Sequence, residues 1–135
     1  MKHIHNTAII GSNVIIGKNV TIGAYSIIED NVKIANDNVI KSSVFITGNT
    51  DIGNNNTFHP FCSIGSPPQD LKFNNEITKL SIGNHNIFRE YANINVGTEG
   101  GGGITLVGNN SLFMVGVHIA HDCIVGNNIV MANQA

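Results

Sequence analysis

From Ile4 to Ile64 every sixth residue of this chain is a bulky hydrophobe. The positions are Ile4, Ile10, Ile16, Ile22, Ile28, Ile34, Ile40, Ile46, Ile52, Phe58 and Ile64. A six-residue period fits neither the 3.6-residue turn of a helix nor the simple alternation of a flat strand. It fits a solenoid, in which each short unit sends one anchor inward and only stacked neighbours can bury it.

A second rule runs inside the units. The fourth residue after an anchor is small or β-branched at Ala8, Val14, Val20, Ser26, Val32, Val44, Thr50 and Cys62. In a strand, positions i and i+4 share a face, so these side chains are expected inside, beside the anchors. Glycine often follows the anchor, as at Gly11, Gly17, Gly23, Gly53, Gly65, Gly83, Gly108 and Gly126. Asparagine often stands three after it, at Asn13, Asn19, Asn31, Asn49 and Asn55. Both residue types suggest corners with left-handed backbone angles. Three units then close a triangular coil of 18 residues, and coils stack as parallel strands about 4.8 Å apart. The residue supply agrees, since 32 isoleucines and valines outnumber four leucines, a strand-forming bias. No segment has the pattern of a helix.

The register breaks twice. After Ile64 the stretch Ser66–Leu80 loses the pattern, yet Ile82 resumes it one coil later, so 66–80 is expected to project as a loop. After Ile94 comes the glycine-rich segment 97–103, and anchors return at Val107, Phe113, Ile119, Val125 and Met131. Loops on a rigid scaffold are common places for function. The glycines lack the lysine and the strand–loop–helix setting of a nucleotide-binding loop.

Composition narrows the classes. The 135 residues make a single domain with a net charge of −2, one arginine and six scattered lysines, which offers no basic face for nucleic acid. No apolar run has transmembrane length, and Met1-Lys2-His3 leads straight into the first repeat, so neither membrane insertion nor a signal peptide is expected. Cys62 and Cys123 both fall at the inward i+4 position and are expected to be buried reduced thiols, as in a cytoplasmic protein. The chain ends four residues after the anchor Met131, without a cap over its last layer, which suggests a truncated protein.

The densest polar constellation is Val117-His118-Ile119-Ala120-His121-Asp122-Cys123. A histidine that exchanges a proton near neutral pH, set beside a carboxylate, is what activation of a hydroxyl requires. His5, His59 and His85 lack such company and are expected on the surface or in packing, and Arg89-Glu90 reads as structural.

Two levels of resemblance follow. The hexads resemble the hexapeptide-repeat family, which implies an all-β, left-handed parallel β-helix; the left hand comes from the resemblance alone, since crossovers between parallel strands are normally right-handed. The run Phe113–Cys123 is similar to the active-site strand of the UDP-N-acetylglucosamine acyltransferase family. Ile64-Gly65-Ser66-Pro67-Pro68-Gln69-Asp70-Leu71-Lys72 resembles that family's substrate loop, and Arg89-Glu90 and 97–103 fall where the family has an arginine-glutamate pair and a glycine-rich stretch.

That resemblance implies transfer of an (R)-3-hydroxyacyl group from acyl carrier protein to the 3-hydroxyl of UDP-N-acetylglucosamine, the opening step of lipid A synthesis. It implies His121 as general base, Asp122 as the group that orients or stabilises its ring, and Gln69, Asp70, Lys72 and His118 in substrate binding. The acyl carrier protein thioester is the co-substrate, with no cofactor and no metal. The implied assembly is a cytoplasmic homotrimer in which Asp70 and Lys72 of one subunit approach His121 of another. Asn95 stands where many members carry histidine. The family's oxyanion donor, chain-length residues, much of its nucleotide site and its C-terminal helical domain are expected beyond Ala135. Three alternatives remain open: another hexapeptide-repeat sugar acyltransferase, a zinc enzyme of the same fold, and a non-catalytic truncated β-helix.

Overall fold

The computed structural model describes residues 2–135 and is a left-handed parallel β-helix with three faces. The first face stacks seven strands, from His3–Ile4 to Val130–Met131. The second stacks six, from Ile9–Ile10 to His118–Ile119, and the third six, from Ile15–Ile16 to Ile124–Val125. Each strand pairs in parallel with its counterpart one coil away, so anchor lies on anchor: Ile22 on Ile40, Ile40 on Phe58, Phe58 on Phe88 and Phe88 on Phe113. The three phenylalanines stack with ring centroids 4.8 and 4.9 Å apart, the spacing of neighbouring strands.

Ile22, Ile28 and Ile34 are buried, as are Ile40, Ile46, Phe58 and Ile64. Each contributes about 1.5–3 kcal/mol before ordering entropy. The anchors at the ends differ. Ile4 is 40% exposed, and Ile10, Ile16, Val125 and Met131 are only partly buried, because each has a coil on one side alone. The same cause corrects the reading of one cysteine. Cys62 is buried, but Cys123 is exposed, since no described strand stacks over its turn.

The corners also revise the sequence reading. Left-handed angles do fall three residues after the anchor at Asn19, Asn31 and Asn55, but equally at Tyr25, Ser43, Phe61, His85 and Tyr91. Position, rather than residue type, sets the turn, and the ladder bonds on both sides carry the strain at the bulky residues. Asn13 and Asn49 are not left-handed; Gly48 turns the chain instead, because Asn49 already opens the strand Asn49–Ile52. The glycines after the anchors mostly serve another purpose. A Cβ at Gly23 would lie 2.7 Å from the backbone of Lys41 and Ser42 in the next coil, so close stacking is what demands glycine there.

Asparagine proves more structural than its turn reading suggested. At the corner between the third and first faces, the buried Asn38, Asn56 and Asn86 form an internal ladder. The Asn56 backbone N–H donates to Asn38 Oδ1 at 2.9 Å, that of Asn86 to Asn56 Oδ1 at 3.0 Å, and that of Ser111 to Asn86 Oδ1 at 3.1 Å. Each Nδ2 donates to a glycine carbonyl of the next coil: Gly53, Gly83 and Gly108. Corner groups that would otherwise be buried without partners are thereby satisfied.

Candidate active site

Both interruptions of the hexad leave the prism at one corner, between the second and third faces. The strand Ser63–Ser66 is followed by a loop that returns at Lys79–Ile82. One coil on, Asn93–Asn95 is followed by the glycine-rich segment, which returns at Ile104–Val107. In the next coil the same corner is the short turn between His118–Ile119 and Ile124–Val125, which carries His121 and Asp122. The two segments rejoin the third face in register with each other, Lys79 opposite Ile104, which is why the anchor phase survives them. Ser66, Lys79 and Leu80 lie within strands, and Leu80 is buried.

The loop is tied by its own polar atoms. The Lys72 N–H donates to Asp70 Oδ1 at 2.9 Å. The Asn74 N–H donates to Glu76 Oε1 at 2.7 Å, and Glu99 N–H in the glycine-rich segment donates to Glu76 Oε2 at 3.2 Å. These backbone donors, Asn74 first, hold the Glu76 carboxyl below its ordinary range.

The His121 turn is fixed more firmly. Asp122 has left-handed backbone (φ 66°), a conformation its short polar side chain tolerates. Its N–H donates to Thr105 Oγ1 at 2.9 Å. Its carboxylate accepts from the Thr98 N–H at 2.7 Å, the Thr98 hydroxyl at 2.5 Å and His121 Nδ1 at 2.7 Å. Burial pushes this carboxyl upward, but the bonds from Thr98 and His121 outweigh it and hold it below the usual range. A carboxylate that accepts a hydrogen bond from Nδ1–H leaves the neutral ring's Nε2 with the lone pair. A Cβ at residue 101 would collide with the same carboxylate, which explains one glycine of the run.

Asp70, Lys72, His121 and Asp122 border one open cleft of about 370 Å³, together with Phe73, Glu76, Thr98, Gly100 and Gly101. These four residues therefore border one cleft within a single chain. Gln69 is exposed and His118 lies on the second face, and neither lines the cleft. His118 Nδ1 instead bonds Asn93 Oδ1 at 2.8 Å. Asn95 is buried and donates to Ser66 Oγ at 3.0 Å. Arg89 Nε donates to Glu90 Oε1 at 2.9 Å, with His59 Nδ1 4.0 Å from that oxygen. A second concavity, of about 270 Å³, lies between the loop and the corner at Thr47–Asn49; Glu76 is its one ionisable lining residue. Among the described residues no three of His, Cys, Asp and Glu converge as a metal-ligand set, and no helix is long and apolar enough to cross a membrane.

Thr98, Thr105 and Glu76 were not legible as site residues. The signal for Thr98 was its place at the head of the glycine run, but nothing in sequence links it to a carboxylate 24 residues later.

The comparisons with known proteins agree with the fold. The bacterial transferase hexapeptide family (six repeats) matches residues 13–48. An acyl-[acyl-carrier-protein]–UDP-N-acetylglucosamine O-acyltransferase from Rickettsia bellii is 54% identical over 122 residues, covering 90% of this chain and 43% of that one. Its namesake from Thermodesulfovibrio yellowstonii is 48% identical over all 135 residues and 52% of its own length. The chain is thus similar to hexapeptide-repeat UDP-N-acetylglucosamine O-acyltransferases over about half their length. The solved LpxA structure from Acinetobacter baumannii superposes with a TM-score of 0.96 at 44% identity, over 97% of this chain and 51% of that one. The UDP-N-acetylglucosamine O-acyltransferase of Moraxella catarrhalis gives 0.92 at 40%, over 97% and 58%. The chain thus spans about half the length of the curated relatives it matches. The corner with the two interruptions and the His121 turn is where this chain gathers Asp70, Lys72, Glu76, His121 and Asp122 around one cleft.

Proposed function

We propose that the protein transfers an (R)-3-hydroxyacyl group from acyl carrier protein to the 3-hydroxyl of UDP-N-acetylglucosamine, with His121 as general base. The observation that carries this reading is the pairing of His121 Nδ1 with Asp122 at the rim of a cleft that also holds Asp70 and Lys72. Nε2 takes the proton of the sugar hydroxyl as its oxygen attacks the thioester carbonyl. The new carbon–oxygen bond forms, the carbon–sulfur bond breaks, and the proton passes from His121 to the departing thiolate of acyl carrier protein. The Asp122 carboxylate stabilises the imidazolium between these two events. Lys72 and Asp70 serve as a cation and an acceptor for the sugar nucleotide's charged and hydroxyl groups, with Gln69 beside them; His118 supports binding from the adjoining face. The reaction needs no cofactor beyond the thioester co-substrate and belongs in the cytoplasm, as the opening step of lipid A synthesis.

The protein acts as a homotrimer in this reading. Its second face carries Ile9, 63% exposed, in line with Ile27 and Phe45 on the following strands, an apolar row for a neighbouring subunit to cover. The test is transfer from radiolabelled 3-hydroxyacyl carrier protein by the intact protein. His121→Ala is expected to lose roughly two to four orders of magnitude in rate, and His118→Ala less, partly through KM. Near-parental turnover by His121→Ala would remove the mechanism.

A further inference from the structure

We infer that Thr98 is a positioning residue for His121, acting through Asp122 rather than on the substrate. This inference rests on the reading of His121 as the base. Thr98 and His121 share one oxygen. Asp122 Oδ2 accepts both the Thr98 hydroxyl, at 2.5 Å, and His121 Nδ1, at 2.7 Å. The hydroxyl has a single proton to give, and its own oxygen already accepts from the Gly101 N–H at 3.1 Å, so its direction toward Asp122 is set. The Thr98 N–H occupies Oδ1 at 2.7 Å, which stops the carboxylate from rotating about its side chain. Thr98 is 7% exposed, leaving little room for water to replace its hydroxyl. The Thr98 carbonyl accepts from the N–H groups of Gly101 and Gly103, at 3.2 and 2.7 Å, which fastens the residue within its own turn.

One lone pair of Oδ2 remains, aimed at His121. That direction selects the tautomer with its proton on Nδ1 and leaves Nε2 free to accept. Without the hydroxyl, the carboxylate keeps its charge but loses its aim, and the ring samples both tautomers. The glycine-rich segment thereby delivers a buried threonine from one coil to the carboxylate of the next.

The variants Thr98→Val and Thr98→Ser, in the intact protein, separate aim from packing. Thr98→Val keeps the shape and removes the donor. Its kcat is expected to fall about ten- to hundred-fold, the worth of a hydrogen bond to a charged group, with KM for UDP-N-acetylglucosamine close to the parent's. Nitrogen-15 NMR of the neutral His121 ring should show one tautomer, protonated at Nδ1, in the parent and an averaged pair in Thr98→Val. Thr98→Ser is expected to restore both readouts. Thr98→Ala gives the same readouts if valine prevents folding. Parental kcat together with unchanged ring-nitrogen shifts in Thr98→Val would overturn the inference, and so would Thr98→Ser as impaired as Thr98→Val. If His121→Ala kept full transfer, the base reading would fall, while the ring-nitrogen shifts would still decide whether Thr98 sets the tautomer.

Discussion

Asp122 meets two demands at once: left-handed backbone at a corner, and a charge held against His121 and Thr98. Its folded carboxyl lies below its ordinary value. The stability it adds is therefore present above the unfolded carboxylate pKa, about 3.9, and is lost as pH falls through the folded value. Asp122→Asn should unfold at lower temperature than the parent at neutral pH, and the gap should close below about pH 4. A gap that stays constant down to pH 2 would show that the charge contributes nothing. Cys62 offers a second residue-scale test. Burial pushes its thiol up to about 12, so iodoacetamide at neutral pH should leave it unmodified until the prism unfolds, as mass spectrometry of the peptides would report.

At the scale of elements, the asparagine ladder satisfies buried backbone groups in successive coils. Asn56→Leu would strip a partner from the Asn86 N–H and from the Gly83 carbonyl. Each buried group left unpaired costs about 1–3 kcal/mol, so urea unfolding should show a loss of at least a few kcal/mol. A loss under one would mean that the ladder is incidental. The strands themselves were legible, because a six-residue anchor repeat calls for a stacked coil, though not for its hand, and the anchors from Ile22 to Ile64 are all buried. Corner chemistry was legible only in part. Glycine at residue 23 reads as a turn residue in sequence, whereas its cause is a backbone one coil away. Cys123 read as inward for the same reason that Cys62 did, and differs because burial depends on which coil lies above it. His121, Asp122, Asp70 and Lys72 were findable from local motifs. Thr98 was not, because its contact with Asp122, 24 residues on, comes from the stacking of coils.

As a whole, the molecule is a stack that buries nothing until neighbouring coils form, so a single charge inside should propagate. Ile28→Asp places an unpaired carboxylate at a fully buried site, at a cost of several kcal/mol, and circular dichroism should show loss of the β signal throughout rather than local damage. The rigidity of that stack is what allows three successive coils to bring a loop, a glycine-rich segment and a histidine turn to one corner. The most direct test of that arrangement is a crystal structure of the intact protein with UDP-N-acetylglucosamine bound. The sugar 3-hydroxyl is expected about 2.6–3.2 Å from His121 Nε2, with Asp70 and Lys72 against the same ligand. A sugar seated away from this corner, with His121 Nε2 facing solvent, would contradict it.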